Sequence, residues 1–321
     1  MGLIERYRER LPVSAETPVV SLGEGSTPLL PAPRLSTRLG VELWLKWEGA
    51  NPTGSYKDRG MTLAVSKALE ASAQALICAS TGNTAASAAA YGARAGLPVA
   101  VLQPAGAVAS GKLAQTRALG ARVLEVQGSF DAALAAAREL ASRGSHALVN
   151  SLNPHRIEGQ TTAVFEIVEG LGSDPAALYL PYGGGGNTTA YALGLDELGL
   201  GGSVRLVSAQ AADRPGTAAS AIRIADPAHA ERVAQTQAEI ATVDDEQILE
   251  AWRLLASEEG VFCEPASAAG LAALIAEGGP GGRVVCTLTG HGLKDPAYAE
   301  RHAPPARAVE PDADAIAEAL A

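Results

Sequence analysis

ALICASTGNTAASAAAYGARAGLPVAVLQP, residues 75–104, is the stretch that sets the fold class. ALICAS (75–80) is a short apolar run of strand length. TGNTAASAAAYGARAG (81–96) has helical composition, and LPVAVLQP (97–104) is again strand-like. Strand, helix and strand in this order predict parallel strands joined by a helical crossover. The same alternation extends both ways along the chain. VELWLKWE (41–48), RVLEVQ (122–127), HALVN (146–150), ALYLPYG (177–183), SVRLVSAQ (203–210) and GRVVCTLTGHG (282–292) read as strands. Helical patterns fall at 58–72, 110–121, 130–144, 161–172, 186–199, 244–260 and 267–278. The expected class is α/β, with two open, twisted, mostly parallel sheets covered by helices on both faces. No internal repeat or low-complexity linker separates the parts. The expected division is a smaller α/β unit over 51–149 and a larger one built from 1–50 and 150–321.

Composition narrows the function. Of 321 residues, 47% are hydrophobic and only 4% aromatic, so Ala, Val, Leu and Ile must build the core. The net charge of −10 argues against a nucleic-acid partner, which needs a basic face. Cys78, Cys263 and Cys286 show no metal or redox spacing, and a sparse, odd set suits a reducing compartment. MGLIERYRERL (1–11) lacks the apolar centre of a signal peptide, and no apolar run is long enough to span a bilayer. A soluble, cytoplasmic protein without a membrane partner is expected.

Four loops follow strands, where open α/β sheets collect ligands. In GANPTGSYKDRG (49–60), Lys57 stands at the start of a helix, where the helix dipole favours anions. It is either a solvated surface lysine or an amine placed beside bound negative charge. STGNT (80–84) offers the hydroxyls of Ser80, Thr81 and Thr84 and the amide of Asn83. These suit a helix N-cap, and equally the carboxylate of a small substrate. GGGGN (183–187) can turn several backbone N–H groups towards one anion at a helix N-terminus, a phosphate cradle. It lacks the spacing of a dinucleotide fingerprint. TGHG (289–292) closes the set. A lysine, a phosphate cradle and polar anchors on strand ends together suit a Schiff base between Lys57 and pyridoxal phosphate.

SLGEGSTPLL (21–30), KWEGANPTGSYKDRG (46–60), ASTGNTAAS (79–87), NSLNPHRIEGQ (150–160), AIRIADP (221–227), EEGVFCEPASAAGL (258–271) and LTGHGLKDP (288–296) occur in an order that resembles the threonine synthases, within the fold type II pyridoxal-phosphate enzymes. The resemblance covers nearly the whole chain. STGNT and the lysine motif are shared with threonine and serine dehydratases, whereas NPHRIEGQ and TGHGLKDP are more specific to threonine synthases. It implies that Lys57 holds the cofactor and later moves protons, and that Asn83 bonds the cofactor's 3′ oxygen. Gly183, Gly184, Gly185, Gly186 and Asn187 would cradle its phosphate. Thr289 would sit at the pyridine nitrogen, where a hydroxyl makes a more moderate electron sink than an acidic partner. Ser80, Thr81 and Thr84 would bind the substrate carboxylate. Asn150, Ser151 and Arg156 would bind a substrate phosphate, Arg156 through its forked donors, with Lys112 a possible further positive charge. His155 and His291 read as structural at least as readily as catalytic.

The implied reaction converts O-phospho-L-homoserine and water to L-threonine and phosphate, and the family is commonly dimeric. Two departures bear on the substrate more than on the cofactor. Gly184 stands where the family's loop usually carries asparagine, and the stretch 210–224 is short. The alternatives are a threonine or serine dehydratase on the same scaffold, and a non-catalytic protein that binds pyridoxal phosphate or an amino acid.

Overall fold

The structure, a computed structural model, describes residues 1–106 and 111–320, with only the backbone at 111 and 112. The charge considered for Lys112 lies outside the described residues. Strands β1 (Leu29–Pro31), β2 (Glu42–Trp47), β3 (Ala75–Ala79), β4 (Val99–Pro104), β5 (Arg122–Val126), β6 (His146–Leu148), β7 (Ala177–Pro181), β8 (Arg205–Ala211), β9 (Glu239–Val243) and β10 (Arg283–Leu288) form two sheets. One has the order β5-β4-β3-β6 and is wholly parallel. The other has the order β1-β2-β10-β7-β8-β9 and is parallel except for the β1–β2 pair.

Side-chain alternation explains why these apolar runs are strands with two covered faces. In the larger sheet Leu178, Leu180 and Val285 join one buried cluster, while Tyr179, Val284 and Cys286 join another on the opposite face. In the smaller sheet Leu76, Cys78 and Val101 pack on one side, and Ile77, Ala79 and Leu102 on the other. All three cysteines are buried and unpaired, and burial pushes the Cys78 thiol up to about 12. They are core residues.

The topology places two ligand crevices. In the smaller sheet the chain runs outward from β3 through β4 to β5, then returns to the other side of β3 as β6. In the larger sheet it runs from β7 through β8 to β9, and β10 then returns between β7 and β2. Strand order thus reverses beside β3 and beside β7, the points where open sheets bind ligands. The loops leaving β3, β7 and β10 at these points are STGNT, GGGGN and TGHG.

The helices Lys57–Glu70 and Pro154–Leu171 meet backbone to backbone. A Cβ on Gly60 would lie 2.3 Å from the Arg156 carbonyl oxygen, and one on Gly159 would lie 2.2 Å from that of Arg59. No larger residue fits either position without the helices parting. A buried ionic cluster locks the pair. Arg59 donates to Glu48 through Nε and Nη2 (2.7 Å each) and to Glu166 through Nη1 (2.9 Å) and Nη2 (2.6 Å). Lys46 Nζ adds a 2.7 Å bond to Glu166. Burial acts to raise the Glu166 carboxyl, but Arg59 and Lys46 outweigh it and hold the group well below the usual carboxylate range.

Arg59→Met strands two buried carboxylates and is expected to cost about 3–5 kcal/mol in urea unfolding. Because the folded pKa of Glu166 is depressed, its contribution is full above the unfolded carboxylate range of about pH 4 and is lost as pH falls through the folded value. Acid should therefore erode the stability of the wild type more steeply than that of Arg59→Met.

Candidate active site

Lys57 is the first residue of its helix, and the turn before it is strapped to the end of β10. Tyr56 N–H donates to the Thr289 carbonyl (3.0 Å), and Ser55 bridges Gly290. The Lys57 side chain is half-buried, with Nζ donating to Tyr56 Oη at 2.5 Å. The next residue, Asp58, fixes the turn from below. It accepts bonds from Thr53 N (2.7 Å), Thr53 Oγ1 (2.6 Å) and Ser87 Oγ (2.6 Å). Burial pushes the Asp58 carboxyl up to about 6 against those three bonds. Thr289 Oγ1 lies 3.1 Å from Ser267 Oγ.

STGNT leaves β3 and enters the helix Asn83–Ala95. The N-cap is Gly82, and no side chain caps the helix. Ser80 Oγ accepts from Gly82 N (3.1 Å). The capping alternative for Ser80, Thr81 and Thr84 is thus not what this loop adopts. Thr81 is exposed and Thr84 half-buried, and the first-turn amides of any helix lack intrahelical partners. Asn83 Nδ2 donates to Glu264 Oε1 at 2.8 Å, across from one sheet to the other.

GGGGN joins β7 to the helix Gly186–Glu197. Gly185 has φ +83°, a left-handed conformation open mainly to glycine. Around it the fit is close. A Cβ on Gly183 would lie 3.2 Å from the Ala221 carbonyl, and one on Gly186 would lie 3.2 Å from Ile157. Gly184 is roomier, with Ile224 at 3.6 Å, so the asparagine usual in this family is absent without being sterically barred. Two residues outside the motif hold the loop. Arg214 Nη2 donates to the Gly183 carbonyl (3.0 Å), and His229 N–H donates to that of Gly184 (3.1 Å). The His229 ring also reaches the Ser151 carbonyl through Nε2 at 3.0 Å. Burial lowers the His229 pKa, and nearby Arg232 and Lys57 lower it further. A neutral ring donating through Nε2 therefore ties the cradle to the 150–156 segment.

That segment divides in role. Asn150 bonds Ala79, accepting from its N–H (2.9 Å) and donating to its carbonyl (2.8 Å), which leaves its second amide N–H for another partner. It holds the end of β3 from which STGNT springs. Arg156 is fully buried on the helix that begins at Pro154, two positions inside. One guanidinium nitrogen, Nη1, donates to the Val149 carbonyl (2.8 Å). Nε and Nη2 have no hydrogen-bond partner among the described residues. His155 instead pairs with Glu158 on the same helix (2.7 Å), and the His291 ring meets Trp47 at a tilt and Phe262 edge-on. The contacts of both histidines are with neighbouring protein groups. A cavity of about 380 Å³ lies behind the lysine turn, between Thr53, Gln115 and Lys294. Of the candidate residues above only His291 lines it, and none of Lys57, STGNT, GGGGN and Arg156 does.

The residues fit pyridoxal phosphate. Asn83 Oδ1, Asn187 Nδ2 and Ser55 Oγ are buried without a hydrogen-bond partner among the described residues. Burying a polar group without a partner is costly, so such atoms mark places for ligand atoms. An unpaired buried amide, a glycine-lined helix start and a half-buried amine are the kinds of group that a ring hydroxyl, a phosphate and an aldehyde carbon call for.

Comparison with known proteins agrees. The chain is 49% identical to a threonine synthase of Synechocystis sp., over 99% of this chain and 90% of that one. It is 50% identical to a threonine synthase of Halalkalibacterium halodurans, over 92% of this chain and 90% of that one. Among solved structures it is similar to a T.th. threonine deaminase, with 28% identity, a TM-score of 0.72, and coverage of 83% and 92% of the two chains. Maize serine racemase shares the fold, with a TM-score of 0.73 at 20% identity. The family model described as pyridoxal-phosphate dependent enzyme matches residues 20–290, and the chain belongs to that family.

Proposed function

We propose that the protein is a threonine synthase, converting O-phospho-L-homoserine and water to L-threonine and phosphate. One observation carries the choice of substrate. Arg156 keeps two guanidinium nitrogens unpaired in full burial, packed against the Lys57 helix at Gly60. A second phosphate supplies the missing acceptors. A dehydratase has no use for this site, and a binding protein has none for a lysine at the reacting carbon.

When bound, the cofactor supplies an electron sink that acidifies the Cα and then the Cβ hydrogens of the substrate. The residues do the rest. Ser80, Thr84 and the first-turn amides of the Asn83–Ala95 helix hold the carboxylate, with Thr81 at the exposed rim. The Lys57 amine takes the Cα proton and serves again at Cβ. Arg156, with Ser151 beside it, holds the phosphate as it leaves Cγ with the electron pair of the C–O bond. A proton then adds at Cγ, water oxygen bonds to Cβ as one of its protons passes to the Lys57 amine, and Lys57 returns that proton to Cα. The unit spanning 51–149 carries Lys57 and STGNT; with the Lys57 helix held against Pro154–Leu171, closure of its STGNT-bearing part keeps water out until the addition step.

Among the described residues no helix is long and apolar enough to cross a membrane. We place the enzyme in the cytoplasm, in keeping with its three unpaired cysteines, and as a homodimer, by family resemblance. Keto-acid formation from L-threonine and L-serine separates the dehydratase reading. We expect kcat/KM for O-phospho-L-homoserine to exceed that for either amino acid by about 100-fold or more, because the Arg156 site goes unused without a phosphate. A preference for L-threonine or L-serine would establish the dehydratase instead.

A further inference from the structure

Tyr56 is the side chain in closest contact with the reacting amine. Lys57 Nζ lies 2.5 Å from Tyr56 Oη and 4.3 Å from the ring centroid. Because Nζ donates, the phenol keeps its own proton for a second acceptor. Tyr56 and Gly60 are four residues apart and share one face at the start of the helix. Gly60 is where Arg156 packs, since a Cβ there would lie 2.8 Å from Arg156 Nε. The phenol therefore starts from the face of the helix against which Arg156 packs. Electrostatics agree. Burial lowers the Arg156 pKa, and Tyr56 is the foremost group opposing that shift, ahead of Cys78 and Asp58.

We propose that Tyr56 is a catalytic residue, a proton relay between Lys57 Nζ and the oxygen of the departing phosphate. This rests on the threonine synthase reading. After Lys57 has taken a substrate proton, its ammonium gives one proton to Tyr56 Oη as the phenol's own proton passes to the phosphate oxygen. The Cγ–O bond breaks with its electron pair on that oxygen. Lys57 is left neutral and ready for the next transfer, the phenol is regenerated, and phosphate departs protonated. Arg156 favours the step by stabilising negative charge on the phenol oxygen during the exchange.

Tyr56→Phe in the cofactor-loaded protein tests this. It keeps the ring and removes only the hydroxyl. The charged and titratable groups around the pair are Lys57, Asp58, Arg156 and His229, all unchanged in the variant. We expect kcat for phosphate release to fall about 100-fold with KM within about threefold of wild type. We also expect the pH midpoint of the visible absorption of the lysine–cofactor linkage to shift, and the thermal midpoint to stay. Wild-type kcat and an unmoved pH midpoint would overturn the relay. So would a lower kcat that comes with a lower thermal midpoint and an unmoved pH midpoint, since that is a structural defect. If the wild type releases no phosphate but the substitution moves the pH midpoint, the substrate reading falls and the Tyr56–Lys57 proton exchange stands.

Discussion

Lys57→Ala is expected to lower kcat by about four orders of magnitude or more. The variant loses the covalent seat of the cofactor and the base for Cα at once. The visible absorption of the lysine–cofactor linkage should vanish with it. Stability should change little. The Lys57 side chain is half-buried and, among the described residues, bonds to its neighbour Tyr56 alone, so cofactor-free protein should unfold within about 1 kcal/mol of wild type. Loss of activity with unchanged folding separates Lys57 from Arg59, two residues along the same helix, whose removal acts on the fold. Retained turnover in Lys57→Ala would mean that the catalytic amine lies elsewhere.

Arg156→Met should show opposite effects on binding and folding. Two unpaired guanidinium nitrogens each offer a charge-assisted bond to phosphate, worth about 1.5–3 kcal/mol apiece. Their loss should reduce kcat/KM for O-phospho-L-homoserine by about 100-fold or more, with most of the change in KM. In the ligand-free protein, however, Arg156 is a fully buried cation with a single bond among the described residues, to the Val149 carbonyl. Burial lowers its pKa, which is the signature of that cost. An apolar side chain of similar length removes the cost, so ligand-free Arg156→Met should be as stable as wild type or more so. Normal affinity in this variant would place the substrate phosphate elsewhere.

These residues also show how far the sequence could be read. Alternating apolar runs and helical patterns gave the parallel sheets, because β3, β7 and β10 are buried on both faces and read as unbroken hydrophobic stretches. The edge strand β9 escaped notice. Its sequence, EIATV, is mostly exposed and lacks that signal. GRVVCTLTGHG, the last strand in sequence, is central in the sheet, since pairing order depends on the return crossover and not on local pattern. The helix carrying Arg156 begins at Pro154, earlier than apolar periodicity suggested, because Asn153 caps it and proline suits its first turn.

The site was legible where it lies in loops at strand ends. Its supports were not. Glu48, Arg59 and Glu166 come from three separate elements that meet only in the folded chain, and Arg214 and His229 reach the glycine cradle from positions flanking AIRIADP (221–227), outside the motif itself. Asn150 proved to be bonded to Ala79, a pairing of residues 71 positions apart that no local pattern reveals. Tyr56 stood in plain view inside the lysine motif, but its role depends on a side-chain direction that only the folded turn defines.

The most direct test of the account is to incubate the cofactor-loaded protein with O-phospho-L-homoserine and quantify L-threonine and free phosphate in the same samples. The account predicts equal amounts of both throughout the time course. Phosphate accompanied by a keto acid in place of threonine would contradict it, since elimination would then proceed without addition of water at Cβ.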